Sequence, residues 1–219
     1  MGSVTSLLKM FRGGAAAPAA PVAEPRQTLT RRSTGLLEFT KAIQGQEGLC
    51  LLDLGPTSAT NITRLTGLGH KLYNEDLLTS SSDPALQVRT DDGKSAFHVQ
   101  QFLADNLAFD HPMFDGVLFW DIADYLPEAA VKPVVERMAA VMKPGGVLLA
   151  FFHTRDAGPE TPYHRYHIAG NDSLEFQPGS RFRLQRVFNN RHIENLFKGF
   201  SSLKFFLARD NMREVLVIR

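Results

Sequence analysis

Acids and imidazoles stand at the ends of this chain's apolar runs, where a folded domain presents side chains to a ligand. LCLLDLG (49–55) closes on Asp53 and Gly55, HKLYNED (70–76) on Glu75 and Asp76, and VLLAFFH (147–153) on His153, while GVLFWDI (116–122) carries Trp120 and Asp121. His164 and His167 follow in PYHRYHI, interleaved with Tyr163 and Tyr166. A carboxylate accepts hydrogen bonds from hydroxyl and ammonium groups, and an imidazole near neutrality takes up a proton. His153, His164 and His167 are therefore candidate general bases, and the acids are candidate ligand anchors. A packing role competes for His164 and His167, because a loop rich in histidine and aromatics can simply lid the domain. A metal reading of this pair lacks a nameable third ligand, so no metal is expected.

The runs that position these residues are short and apolar, as in strands buried on both faces. Helical stripes lie between them. Leu36, Leu37, Thr40 and Ile43 repeat at helical spacing behind the candidate cap Ser33, with Gly45 as a stop. Ile62, Leu65 and Leu68 make a weaker stripe, and residues 127–142 a strong one, with Pro133 near its first turn. The segment 96–109 leans towards helix, and NNRHIENLFKGF (189–200) makes another, with Asn189 or Asn190 as cap. Residues 77–96 and 154–173 read as loops, KPGG (143–146) as a tight turn, and RFRLQRVFNNRH (181–192) as a solvated edge strand. LKFFLARD (203–210) and EVLVIR (214–219) form a terminal antiparallel pair. Strands alternating with helices predict an α/β doubly wound, mostly parallel sheet. In such a sheet ligands bind at the carboxyl ends of the central strands, near the switch in strand order.

Composition closes several routes. The 219 residues are 43% hydrophobic and 21% charged, with a net charge of +1 and a pI near 7.9. That suits one soluble domain with a tail and gives no strong nucleic-acid signal. No apolar run approaches the ~18 residues of a spanning helix. Cys50 is the single cysteine, so no internal disulfide forms, and a cytoplasmic location is the expectation. No GxGxxG follows the first apolar run, which disfavours a nicotinamide dehydrogenase.

LLDLGPTSATNI, YNEDLL, FDGVLFWDIADYL and VMKPGGVLLAFFH, taken in order, resemble the motif series of class I (Rossmann-like) S-adenosylmethionine-dependent methyltransferases, over roughly residues 48–153. The KPGG turn before the fifth strand and the separation of 23 residues between Asp53 and Asp76 carry much of the likeness. The resemblance implies a seven-stranded sheet closed by the C-terminal antiparallel pair, S-adenosylmethionine as cofactor, and a small or medium-sized acceptor. It places Asp53, Gly55, Thr57, Ser58, Asp76, Asp105, Asn106, Trp120 and Asp121 about the cofactor. Gly55 would let the backbone approach it, and Thr57 and Ser58 would offer helix-start N–H groups and hydroxyls to its carboxylate. Asp76 would accept both ribose hydroxyls, or else cap the turn that follows. Asp105 and Asn106 would lie beside the adenine, or else face water from a helix. Asp121 would pair with the ammonium group and Trp120 would contact the sulfonium or serve only the core. Family members usually carry glycines where this chain has Thr57 and Ala59, so its glycine-rich motif is degenerate. There is no NPPY motif of the amino-methylating DNA enzymes, the residues being WDIA.

Residues 1–32 form an Ala/Pro-rich tail ahead of a domain at 33–219. Val4, Leu7, Leu8 and Phe11 share one helical face, so residues 3–12 are a candidate docking segment for a partner or a membrane surface, or else a frayed end. The alternative to an enzyme is a catalytically inactive methyltransferase-like binding or regulatory module, docked through this segment.

Overall fold

The apolar runs become the centre of a six-stranded sheet. A computed structural model describes residues 29–155, 161–207 and 211–219. Its strands are β1 (Leu29–Arg32), β2 (Cys50–Asp53), β3 (Lys71–Asn74), β4 (Gln87–Arg89), β5 (Ser95–Phe97), β6 (Phe114–Trp120), β7 (Met142–His153), β8 (Thr161–Ile168), β9 (Ser173–Phe182), β10 (Ser202–Leu207) and β11 (Met212–Ile218). Its helices are α1 (Thr34–Ile43), α2 (Ala59–Gly67), α3 (Leu77–Ser80), α4 (Val99–Asn106), α5 (Ile122–Tyr125), α6 (Glu128–Val141) and α7 (Asn190–Leu196). The main sheet runs β10-β11-β7-β6-β2-β3, with β3, β2, β6 and β7 parallel and β10 and β11 antiparallel at one end.

Alternation along the central strands feeds two cores. Leu52, Val117, Phe119, Leu148 and Phe152 pack with α4, α6 and α7 on one face, and Leu51, Leu118, Trp120, Leu149 and Phe151 pack with α1 and Leu65 of α2 on the other. Capping follows chemistry: Ser33 Oγ accepts from Leu36 N at 3.0 Å to start α1, and Asn189 Oδ1 accepts from His192 N at 2.9 Å to start α7.

A second sheet, of order β1-β9-β8, lies across the first as a strap. Its strand β8 bridges both cores, since Tyr163 packs with one and Tyr166 and Ile168 with the other. At its far edge β1 is anchored by a buried ion pair. Arg31 NH1 lies 2.9 Å from Glu214 Oε1 on β11, and Glu214 Oε2 accepts from Gly35 N at 2.6 Å.

Several expectations change. Among the described residues the main sheet has six strands where seven were expected, and residues 77–97, expected largely as a loop, form α3, a 3-10 turn (Pro84–Leu86) and the separate β4–β5 hairpin. Residues 29–32, expected in the tail, pair with β9 as β1. Residues 161–168, expected as loop, form β8, whose exposed and buried residues alternate only in part. Residues 183–189, expected as an edge strand, are irregular, because Gln185 N and Arg186 N donate to Asp124 O rather than to a strand. The KPGG segment is absorbed into β7 as an outward bulge, with Gly145 at φ 79°. The docking segment 3–12 lies outside the described residues.

Candidate active site

The switch in strand order falls between β2 and β6, whose carboxyl ends carry Asp53 and Trp120. Asp53 is buried and fully engaged. Its Oδ1 accepts from Trp120 Nε1 at 2.7 Å and from Gly55 N at 3.1 Å, and its Oδ2 accepts from Asn61 Nδ2 at 3.0 Å. Burial pushes its pKa up to about 6, against the pull of these donors.

Trp120 fills the space above the first loop. Its φ is 49°, a left-handed backbone costing a bulky residue about 1–2 kcal/mol. A Cβ added to Gly55 would sit 2.8 Å from Trp120 Cδ1, so the glycine is required for the indole to approach. Tyr166 of β8 stacks on the indole face, with centroids 4.8 Å apart and planes 11° from parallel. Asn61 ties the layers together, since its Nδ2 also donates to Tyr166 O at 3.0 Å and its Oδ1 accepts from Ile168 N at 2.8 Å.

Asp121 is wholly buried where β6 passes into α5, and neither of its oxygens has a hydrogen-bond partner among the described residues. The Tyr166 side chain lies near enough to favour the ionised form but not in hydrogen-bonding geometry. Burial raises the Asp121 pKa to about 7, with nearby Asp124 adding to the rise and His153 opposing it. The Tyr125 and Tyr163 hydroxyls are buried and likewise unpartnered, and their rings meet edge-on at 5.4 Å. An uncompensated carboxylate walled by tyrosines suits a cationic group, which would supply charge pairing and a ring-face contact. Beside it, His153 at the end of β7 is held by Asp124, whose Oδ2 accepts from His153 N at 2.6 Å and lies 2.8 Å from Nδ1.

Asp76 caps the short α3, accepting from Thr79 N at 3.1 Å and from Thr79 Oγ1 at 2.9 Å. It also lines a cavity of ≈ 190 Å³ with Pro56, Thr79, Tyr163, Arg165, Gln177 and Ser180, so cap and cavity wall coincide. Drug-sized ligands usually occupy ~300 Å³ or more, so this hollow admits only part of one.

The other expected residues divide. Ser58 is the N-cap of α2, not part of its first turn; its Oγ accepts from Asn61 N at 3.2 Å and lies 2.7 Å from His167 Nδ1. Thr57 is exposed and its hydroxyl donates to Asn74 Oδ1. Asp105 and Asn106 lie on α4; Asp105 accepts from Gln101 Nε2, Asn106 Nδ2 donates to Phe102 O, and neither lines the cavity. His164 packs edge-on against Phe176, and burial lowers its pKa. The structure brings Asp53, Gly55, Ser58, Trp120 and His167 into one interlocked group, and Asp121 and His153 into a second.

Among the described residues the main sheet is parallel through β3, β2, β6 and β7 and closes on the C-terminal antiparallel pair β10–β11, the architecture expected of the resemblance. The chain has the class I methyltransferase fold. No family model and no curated protein matches the sequence. Among solved structures, it is similar to an S-adenosylmethionine-dependent methyltransferase of Methanosarcina mazei (15% identity, 80% of this chain and 93% of that one, TM-score 0.48). It is similar also to the N-methyltransferase NodS of Bradyrhizobium japonicum (12% identity, 85% and 93%, TM-score 0.44). A third likeness is to 1,6-didemethyltoxoflavin-N1-methyltransferase of Burkholderia thailandensis, solved with S-adenosylhomocysteine (10% identity, 85% and 79%, TM-score 0.46). Among the described residues no helix is long and apolar enough to cross a membrane, and no cluster of three or more His, Cys, Asp or Glu is arranged to hold a metal ion.

Asn61, Tyr163, Tyr166 and Arg165 were not singled out as ligand-site residues by the motifs. Asn61 stands three residues after Ser58, a capping interval, but its bonds to β8 depend on a strap that the sequence did not reveal.

Proposed function

We propose that this protein is an S-adenosylmethionine-dependent methyltransferase acting on a small or medium-sized acceptor. The observation that carries the reading is the buried, unpartnered Asp121 carboxylate at the carboxyl end of β6. A charge left bare in the interior is costly, and a cationic ligand group removes the penalty. Asp121 would hold the ammonium group of the methionine portion, with Tyr125 and Tyr163 flanking it. Asp76 would take the ribose from the cavity rim. The Gly55 face suits the cofactor only with Trp120 withdrawn.

S-adenosylmethionine, when bound, supplies a methyl group on a positively charged sulfur. The chain's own residues orient the reactants and exclude water beneath the strap. His153, fixed through Nδ1 by Asp124, would accept a proton from the acceptor's nucleophilic atom.

A second reading, a non-catalytic methyltransferase-like module, is favoured by one observation: the indole of Trp120 already lies against Gly55. Calorimetric titration of the full chain with S-adenosylmethionine and S-adenosylhomocysteine separates the two. Saturable heat supports the enzyme; its absence at ligand concentrations up to ~1 mM, a contribution of only ~4 kcal/mol, supports the module.

A further inference from the structure

Trp120 is tied to the site from three directions. Its Nε1 donates to Asp53 Oδ1 at 2.7 Å, its edge meets Gly55, and its face stacks on Tyr166. The backbone beneath it is left-handed, a conformation that persists in a bulky residue only while its surroundings impose it. Its covering strand is held to α2 by Asn61 and by the Ser58–His167 contact, all polar links. The next residue, Asp121, is a buried carboxylate without a hydrogen-bond partner among the described residues, and Tyr163, which lies near it, lines the undersized cavity at Asp76.

We infer that Trp120 and Tyr166 form a gate that occupies the methionine end of the cofactor site and must be displaced for the cofactor to bind. This inference rests on the cofactor reading above and adds its control. In the closed state the indole N–H takes the acceptor, Asp53, that a ligand N–H donor would use. It also covers the glycine face that a ligand would lie on. Opening requires β8 to lift, because Tyr166 is stacked on the indole face. Cofactor affinity is therefore reduced by the small fraction of molecules that are open, and changes that weaken the closed state raise it.

The chain has one tryptophan, so indole emission reports this residue alone. Wild type, Tyr166→Leu and Trp120→Phe, each as the full chain, are titrated with S-adenosylhomocysteine and followed by calorimetry. Indole emission is read in parallel for the first two. The expected result is heat and emission saturating together in wild type, with both variants binding at least about fivefold more tightly. Trp120→Phe keeps an aromatic ring but loses the N–H and the pyrrole edge that meets Asp53 and Gly55, and it guards against a Tyr166→Leu protein that fails to fold. Saturable heat with unchanged emission, or variants that bind no more tightly than wild type, overturns the gate and leaves the cofactor reading standing. No heat with any of the three proteins overturns both.

Discussion

Asp124 grips His153 twice with one oxygen: Oδ2 accepts from the backbone N at 2.6 Å and lies 2.8 Å from Nδ1 of the ring. Asp124 is wholly buried, and burial lifts its pKa to about 6 in spite of the histidine. The end of β7 is thus fastened to α5 by one carboxylate. Asp124→Ala leaves the buried His153 N–H without its acceptor, at a cost of about 1–3 kcal/mol. Asp124→Asn keeps an amide oxygen for that N–H and should recover most of the loss. Thermal unfolding of the two variants checks this, and equal losses would mean that charge rather than the backbone bond matters.

Asp121 gives a pH signature. Its folded pKa, about 7, lies above the unfolded value of about 3.9, so its contribution to stability is fully present below pH 4 and is lost as pH rises through 7. His164 and His167, whose pKa values burial lowers, act in the opposite sense as pH falls through 6.5. Asp121→Asn removes only the first effect. It should raise the melting temperature by several degrees at pH 8 and little below pH 4, where the folded and unfolded chains both carry the proton. If the gain is the same at both pH values, Asp121 is not the group responsible.

The same variant should weaken S-adenosylhomocysteine binding at pH 8 by tenfold or more, about 1.4 kcal/mol, because a carboxylate partner for the ammonium is gone. In wild type, affinity should rise with pH through about 7, since a protonated Asp121 must lose its proton to pair. Calorimetry in buffers of different ionisation enthalpy would detect that proton release.

Asp76→Ala should act on two readouts. Loss of the cap on α3 costs about 1 kcal/mol of stability. If Asp76 also holds the ribose, affinity for S-adenosylhomocysteine falls several-fold in a protein that remains folded. A stability loss with unchanged affinity would leave it as a cap alone.

Glu214→Ala removes the buried anion that Arg31 and Gly35 N share, and should cost about 3–5 kcal/mol. Cutting the chain after Arg32 removes β1 together with Arg31, and should destabilise the strap as well. Urea unfolding of both proteins measures the effect; a loss under about 1 kcal/mol would put the pair among the weak surface type.

The parallel strands were legible because burial on both faces writes itself as uninterrupted apolar runs, as in Val117–Phe119 and Leu148–Phe152. Caps at Ser33 and Asn189 were legible because their chemistry is local. The strap was not. β1 is four residues of mixed exposure, and β8 has only a partial alternation of exposed and buried positions. Both acquire their strand character from β9, a partner some 140 residues from β1. Within the site, Asp121 was marked as an anchor by its place after a buried run. That Trp120 would lie on Gly55 depended on a left-handed backbone, which nothing local to WDIA demands.

Because β1 is pinned to β11 while β8 lies two strands away over the ligand region, the strap is built as a cantilever. Force applied at the Tyr166 end is resisted at a distant root. A lifting of β8, as proposed above, would bend it against β9 and β1, whose outer edge is fixed at Glu214. Its stiffness is set in part at Arg31 and Glu214, residues that touch no ligand.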